Sequence, residues 1–550
     1  MGFLYQKSII LGLYECASMR KLLLSIASGL VLAASWYWHL GFFIFLAWLP
    51  LLILEQKTNE EGKAPYAKLK LWAFSYLTFL IWNLLTTWWI VYASFGGACM
   101  AILANSLLMS WVFMLYSTLR RRFHGLWSHW LLLPLWLAWE YAHSLWDLSW
   151  TWLNLGNVFA FHHRWVQWYE FTGSSGGTAW VLIINLLFFQ AMRHTKPIVL
   201  FKKTLFKIGL AIILPILLSY GLLLYRTPLS SVKKPLNCVV LQPNVDPYNF
   251  KFVLEYKQQF AQALELAKPA LNKQTNYLIL PETFITNNIN ESFLNESEEL
   301  MLFRDSVIKL FPNLKIITGG NTYRFYEDPS EVTATARFDG NSGLHYDVYN
   351  SAIYIDHSSS QVYHKSKLVP GVEKMPFPAL FKPLEKLALN LGGTVGSLGL
   401  QEERSVFKDN TNQTVIAPVI CYESVYSDYV SEYVRNGASI IFIVTNDGWW
   451  DDTPGYKQHL NYARLRAIEN RRQVVRSANT GVSCFLDEFG TIYQPTTWWQ
   501  EAVIGQKIYT NTELTFFSRF GDLISYSALL FSVLLLLLFL FRRFISRAGN

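Results

Sequence analysis

Hydrophobic positions are distributed unevenly along this chain. Up to about residue 225 they form long runs with few interruptions, and one more run comes near the C-terminus. A helix rises about 1.5 Å per residue, so roughly 20 apolar residues cross a bilayer. The runs at 22–38, 40–54, 71–92, 98–119, 129–146, 178–192, 205–225 and 522–541 are therefore expected to be spans. The second and sixth are short for a full crossing. Leu530 to Leu540 is almost wholly Leu, Phe and Val. Ser8 to Tyr14 is too short to cross and reads as cytoplasmic or interfacial chain. Glu15 stands before Cys16, where a lipid-attachment site wants small residues.

Between residues 226 and 521 the pattern changes. Apolar runs become short and end in polar turns, at 238–241, 277–280, 315–317, 352–355, 415–420 and 439–444, which predicts buried strands. Val253 to Ala267 and Tyr456 to Gln473 predict amphipathic helices between them. Strands alternating with helices point to an α/β domain. Thr318-Gly319-Gly320-Asn321 lacks the spacing and lysine of a phosphate-binding loop and reads as a strand-end turn. The expected organisation is a transmembrane region of about seven helices over 1–225, an α/β domain over 226–521, and a last span with a short basic tail over 522–550.

Composition agrees with this division. Charged residues make up 16% of the chain, against about 25% in soluble proteins. The 16% of aromatic residues excludes a solvated coil. The five cysteines are scattered and none forms a C-x-x-C pair, which argues against a disulfide scaffold or a zinc ribbon. His162 and His163 adjoin without a third ligand at suitable spacing, so no metal is expected, and no cofactor.

The net charge of +8 raises the question of nucleic acid, which the placement of the charges answers. Arg20 and Lys21 precede the first run. Lys57, Lys63, Lys68 and Lys70 separate the second from the third, and Arg120, Arg121 and Arg122 follow the fourth. Arg193, Lys196, Lys202, Lys203 and Lys207 lie between the sixth and seventh, and Arg542, Arg543 and Arg547 follow the last. The alternate loops are nearly bare: His39-Leu40-Gly41 and Ser94 to Ala98 carry no Lys or Arg, and the fifth-to-sixth loop carries only Arg164. The positive-inside rule then puts both termini in the cytoplasm and the α/β domain on the opposite side. No nucleic-acid partner is needed to explain the charge.

Three polar residues follow strand-like runs, where α/β folds place reacting groups. They are Glu282 after Tyr277–Pro281, Lys365 in Tyr363-His364-Lys365-Ser366-Lys367-Leu368, and Cys421 after Val415–Ile420. Each alone is ordinary. Together they supply a nucleophile, a group to take its proton, and a fixed cation for an oxyanion, which is the equipment of acyl transfer.

In this order, Pro281-Glu282-Thr283, Tyr363-x-Lys365-x-x-Leu368 and Cys421-Tyr422-Glu423 resemble the motifs of the nitrilase (carbon–nitrogen hydrolase) superfamily. With spans on both sides, the chain is similar over almost its whole length to apolipoprotein N-acyltransferases, the membrane-embedded members of that superfamily. Further similar segments are Leu241-Gln242-Pro243-Asn244, Leu368-Val369-Pro370 with Glu373, Asn446-Asp447-Gly448-Trp449-Trp450, His459 with Arg464 and Arg466, Ser477 to Gly481, Trp152 to Asn157, and Gln167-Trp168. The resemblance implies an αββα sandwich beside about eight transmembrane helices. It implies Cys421 as nucleophile, Glu282 as general base and acid, and Lys365 with a backbone N–H near Tyr422 as oxyanion stabiliser. Glu373, Tyr422 and Glu423 match supporting positions.

The implied reaction moves an acyl chain from a membrane phospholipid, through a Cys421 thioester, to the α-amino group of a diacylglyceryl-cysteine at an apolipoprotein N-terminus. The implied location is a bacterial inner membrane, with the catalytic domain periplasmic. Two departures stand out. Gly371-Val372 occupy the place where the family usually has Phe-Gly, and Phe250-Lys251-Phe252 stand where it often has Trp, so no Trp role passes to Phe250 or Phe252. Trp449, Trp450, Trp498 and Trp499 are candidate membrane-interface anchors, with packing inside the domain an equal reading for the first two. The alternatives are a membrane-anchored amidase of the same superfamily and a non-catalytic lipoprotein-binding relative.

Overall fold

The computed structural model describes residues 2–37, 40–60, 66–123, 125–193, 198–231, 233–374, 390–391, 394–395 and 397–548. Three residues of the loop-charge pattern, His39, Lys63 and Lys196, lie outside them. The first part is helical: α1 (Gly2–Ala34), α2 (Leu49–Glu60), α3 (Ala67–Thr87), α4 (Phe95–Arg122), α5 (Leu132–His143), α6 (Tyr169–Arg193) and α7 (Ile198–Tyr225). Ser8 to Tyr14 continues into the first apolar run as part of α1.

Among the described residues, six helical stretches are long and apolar enough to cross a membrane: Gly41–Glu60, Ala67–Tyr92, Phe95–Arg122, Tyr169–Arg193, Lys202–Ser231 and Leu523–Ile545. They match the second, third, fourth, sixth, seventh and eighth expected runs. The first run falls on α1. The fifth falls on α5 and the 3-10 turn before it, Leu126–Leu131, and neither of these is among the six. With 12 residues, α5 is about 18 Å long, short of a bilayer's hydrocarbon thickness.

The second part holds β1 (Leu236–Gln242), α8 (Tyr256–Ala267), β2 (Thr275–Ile279), β3 (Ile285–Asn290), α9 (Glu298–Phe303), β4 (Lys315–Tyr326), β5 (Arg337–Phe338), β6 (His345–Ile355) and β7 (Ser360–His364). A small hairpin of β8 (Asn390–Leu391) and β9 (Thr394–Val395) follows. Then come β10 (Phe407–Asp409), β11 (Thr414–Ile420), α10 (Ser427–Arg435), β12 (Ile440–Thr445), α11 (Pro454–Asn470), β13 (Val474–Ala478), β14 (Cys484–Leu486), β15 (Ile492–Tyr493), β16 (Ala502–Ile508), α12 (Phe516–Phe520) and α13 (Leu523–Ala548). One sheet runs β16-β1-β2-β4-β6-β5, with β3 on β4 and β7 on β6; the other runs β10-β11-β12-β13-β14-β15.

Period-two alternation explains how the layers stack. Cys238 and Val240 of β1, Tyr277 and Ile279 of β2, and Tyr354 of β6 face the second sheet and join its core. Tyr277 meets Phe442 with ring centroids 5.6 Å apart, and Tyr354 meets Phe407 at 5.9 Å. Val239, Leu241, Leu278 and Ile316 face the other way, against Tyr256 and Phe260 of α8 and Phe303 of α9. Val430 and Tyr433 of α10 and Leu465 and Ile468 of α11 cover the far side of the second sheet. The result is the expected helix–sheet–sheet–helix order.

Some boundaries differ from expectation. Helix α8 starts at Tyr256 rather than near Val253, because Phe250 and Lys251 donate backbone N–H groups to the Asp246 carbonyl and hold a separate turn. Helix α11 stops at Asn470, where Arg471 turns left-handed with φ 47°. The Thr318-Gly319-Gly320-Asn321 stretch lies inside β4 rather than at a strand-end turn. A β-carbon at Gly319 would stand 2.5 Å from the Glu282 backbone, so the glycine serves a close approach.

Candidate active site

Three strand ends converge. Beyond β2, Pro281, Glu282 and Thr283 form a tight turn in which Thr283 has φ 48°. Lys365 directly follows β7. Cys421 directly follows β11 and opens a short 3-10 turn, Cys421–Val425, with its own φ at 48°. That left-handed conformation costs a residue with a β-carbon on the order of 1–2 kcal/mol. The Cys421 carbonyl is held by Ser424 Oγ at 2.8 Å and His459 Nε2 at 3.1 Å. His459 in turn meets Asp447 through Nδ1 at 3.0 Å, and Arg476 braces Asp447 at 2.7 Å.

Lys365 Nζ donates to Glu282 Oε1 at 2.9 Å and to Glu373 Oε1 at 2.8 Å, all within the protein interior. Asn350 Nδ2 reaches the same two oxygens, at 2.8 and 3.0 Å. The backbone N–H of Val369 donates to Glu373 Oε2 at 2.8 Å, which fixes Glu373 from its other side. Burial alone would raise the Glu282 carboxyl, but the Lys365 ammonium and the hydrogen bonds from Lys365 and Asn350 outweigh it and hold Glu282 below the usual carboxylate range. Burial would likewise strip the proton from Lys365, and the two carboxylates beside it keep it charged. Burial, reinforced by the Glu282 charge and only partly offset by Lys365, pushes the Cys421 thiol up. The resting group is therefore a protonated thiol beside an ionised carboxylate.

Glu423 occupies the other side of the Cys421 turn, fully buried. Its Oε2 accepts from the Ile420 N–H at 2.8 Å, while Oε1 accepts from Tyr363 at 2.7 Å, Tyr429 at 2.6 Å and the Ser366 N–H at 2.7 Å. One carboxylate thus ties the Cys421 segment to the loop that carries Lys365. Tyr422 stacks on Trp150 with centroids 5.9 Å apart, and its hydroxyl donates to the Ser149 carbonyl at 3.1 Å.

Sequence reading missed two contributors. Lys251, buried beneath the site, donates to the Glu282 carbonyl at 2.9 Å and to Thr283 Oγ1 at 2.6 Å, pinning the left-handed turn. Burial lowers its pKa to about 8, partly opposed by Glu282 and Cys421. Its signal was a lysine between two phenylalanines. The second is Asn350, and an Asn inside a run of strand formers is unfavourable enough to have been noticed.

Glu282, Lys365, Glu373, Cys421 and Tyr422 line one pocket, and its opposite wall comes from the helical region. Trp89 and Ile90 arrive from the 3-10 turn Trp88–Tyr92 after α3, and Trp150 and Trp152 from the segment after α5. A mainly apolar cavity shares Ile90, Trp150, Val369 and Val372 with this pocket and continues along Met100, Ala104 and Leu108 of α4. Trp449 and Trp450 line the pocket too. Trp450 packs on Trp89 at 4.9 Å and on Trp152 at 5.6 Å, and Trp449 meets Tyr248 at 5.4 Å, so both pack against other aromatic rings within the site. Trp498 stacks on Tyr456 at 4.1 Å, and Trp499 is partly exposed.

Comparison with known proteins bears on the whole chain. Residues 240–512 match the carbon-nitrogen hydrolase family and residues 28–187 match the apolipoprotein N-acyltransferase N-terminal domain. An apolipoprotein N-acyltransferase of Chlorobaculum tepidum is 30% identical over 540 residues, covering 94% of this chain and 97% of its own. One of Pasteurella multocida is 26% identical over 529 residues, 91% of each chain, and one of Thermotoga maritima 24% over 397 residues, 72% of this chain and 67% of its own. A nitrilase-like α/β domain joined to apolar helices, with relatives aligned from end to end, places this chain in the apolipoprotein N-acyltransferase family, whose members are acyltransferases.

Proposed function

We propose that the protein moves an acyl chain from a membrane phospholipid to the α-amino group of a diacylglyceryl-cysteine at an apolipoprotein N-terminus, with Cys421 as the covalent carrier. Glu282 takes the thiol proton as Cys421 Sγ attacks the ester carbonyl. The tetrahedral oxyanion is stabilised by Lys365 and by the Tyr422 N–H, one of the first N–H groups of a helical turn, which lack partners within the turn. Collapse breaks the ester bond. The lysophospholipid oxygen takes the proton back from Glu282, leaving a thioester. The incoming amine then attacks the thioester, gives its proton to Glu282, and the departing Cys421 sulfur recovers that proton. Glu373 and Asn350 position Lys365, and Glu423 positions the turn carrying the nucleophile.

One observation carries this reading: the pocket holding Cys421, Lys365 and Glu282 has Trp89, Ile90 and Trp150 of the helical region as its far wall and continues into an apolar cavity along α4. Each buried CH₂ contributes about 0.8 kcal/mol, so a substrate with long chains is best handled without leaving the lipid phase. A small-amide hydrolase gains nothing from such a wall. The domain plan follows: helices over 1–225, the catalytic domain over 226–521, and a last span over 522–550. An even number of crossings, eight with α1 counted and with α5 lengthened by about 12 Å through the adjoining 3-10 turn Leu126–Leu131, leaves both termini cytoplasmic and the catalytic domain periplasmic on an inner membrane, in line with the charged loops.

Incubation of the full-length protein with phospholipid should leave one acyl group on Cys421, released by neutral hydroxylamine and located by mass spectrometry. Cys421→Ala should carry none and should leave apolipoprotein N-termini diacylated. A Cys421→Ala protein that still N-acylates, or wild type that only releases ammonia from small amides, would sink the proposal.

A further inference from the structure

One peptide group in the Cys421 turn has a partner on each side. Its carbonyl belongs to Cys421 and its N–H to Tyr422, the N–H that meets the oxyanion in the proposed reaction. In a trans peptide the two point in opposite directions. The carbonyl accepts from Ser424 Oγ at 2.8 Å and from His459 Nε2 of α11 at 3.1 Å. Cys421 and Tyr422 line the catalytic pocket and His459 does not. The Tyr422 N–H is therefore turned away from His459.

The imidazole behind that carbonyl is held on every side. His459, Asp447 and Arg476 have side chains at most 1% exposed. They come from three elements: α11, the 3-10 turn Asp447–Trp450 after β12, and β13. His459 Nδ1 lies 3.0 Å from Asp447 Oδ1 and 3.0 Å from Arg476 Nη2. Arg476 Nη2 donates to Asp447 Oδ2 at 2.7 Å, and Thr445 Oγ1 donates to Oδ1 at 2.9 Å. The ring stacks on Trp152 with centroids 5.8 Å apart and meets Trp450 edge-on at 5.3 Å. The Cys421 carbonyl can only accept, so Nε2 carries a proton whichever partner Nδ1 takes. Buried ion pairs add little net stability compared with apolar packing, yet this set converges on one peptide oxygen.

We propose that His459, with Ser424, is a positioning residue that strengthens the oxyanion site through the Cys421–Tyr422 peptide, without touching substrate. Donors on an amide oxygen draw electron density from its nitrogen through the peptide resonance, which makes the N–H on the far side a better donor. That N–H is called on when Cys421 Sγ adds to the ester carbonyl and charge collects on the carbonyl oxygen. Asp447 and Arg476 keep the ring aimed, so the peptide is polarised before the charge develops. The inference rests on the Cys421 reading given under the proposed function.

The test uses full-length protein in detergent and two reagents that meet Cys421 differently. A long-chain alkyl trifluoromethyl ketone takes the sulfur at its carbonyl carbon: an S–C bond forms, the C=O π bond opens, the thiol proton passes to Glu282, and an oxyanion remains. Methyl methanethiolsulfonate takes the same sulfur with loss of methanesulfinate and forms no oxyanion. His459→Leu should bind the ketone about tenfold more weakly and Ser424→Ala about threefold, followed by fluorine NMR. Disulfide formation at Cys421 by the second reagent, followed by mass spectrometry, should slow by less than about twofold in both. His459→Gln, which can offer an N–H near the Nε2 position, should bind the ketone more tightly than His459→Leu. Ketone binding unchanged in both His459→Leu and Ser424→Ala overturns the inference. Equal losses toward both reagents overturn it too, since His459 would then only support the shape of the turn. Wild type that forms no ketone adduct on Cys421 would overturn the Cys421 reading itself, and this inference with it.

Discussion

At the scale of single residues, the three groups visible in the sequence depend on Glu373 and Glu423, which the sequence also offered, and on Lys251 and Asn350, which it did not. Lys365 is buried between Glu282 and Glu373, and removing either carboxylate would leave an ammonium without adequate compensation. Lys251 is the least expected member. Its pKa of about 8 means that it is an ammonium below that pH and a neutral amine above it. If the ammonium supports the charge on Glu282, thioester formation by wild type declines as pH rises through 8. Lys251→Met should lower the rate about tenfold at pH 7 and flatten that alkaline limb, read by single-turnover acylation across pH 6 to 9.5. A variant that keeps the limb would assign it to another group. The sequence pointed to Glu282, Lys365 and Cys421 because each ends an apolar run. It hid Lys251 and Asn350 because their partners are distant in the chain and their own surroundings look like loop and strand.

At the scale of elements, backbone conformation does much of the positioning. Helix α6 bends at Gly173, which has φ 63°, and a β-carbon there would stand 2.3 Å from the Phe517 ring of α12. Gly173→Ala should therefore destabilise the protein by more than about 2 kcal/mol, from left-handed strain plus the clash. Thermal unfolding in detergent measures it, and Gly173→Ala combined with Phe517→Leu should recover the steric part only. No loss of stability in the single variant would mean that the bend is not needed. The strands were legible because buried runs of Val and Ile bounded by polar turns have few other readings. The start of α8 was not, because the chain before it is held in a separate turn on the Asp246 carbonyl and Glu255, with ψ 136°, is extended rather than helical. The status of the run at 129–146 was not legible either, since hydropathy does not reveal that its helix has only 12 residues.

At the scale of the whole molecule, the pocket exists only because two regions meet. Tyr422 from the catalytic side stacks on Trp150 from the helical side, and Trp152 donates to Gln458 of α11 at 2.7 Å. Trp150 also lines both the catalytic pocket and the cavity along α4. If that cavity takes the acyl chain, Trp150→Ala should change the dependence of thioester formation on chain length. The expected loss is at least fivefold for a donor with 16-carbon chains and within twofold for one with 6-carbon chains. Equal losses for both would mean that the chain lies elsewhere.

Hydropathy by itself pointed to a membrane for much of this chain, because apolar runs of that length are long enough to cross one, and the placement of Lys and Arg supplied the orientation proposed above. The order of Glu282, Lys365 and Cys421 along the strands pointed to the chemistry proposed here. Only the tertiary structure decided that Lys365 is shared by two carboxylates, that Glu423 joins two loops, and that the helical region closes the pocket. Those are contacts between residues far apart in the chain, and their energies come from burial and from paired charges that a linear pattern does not contain.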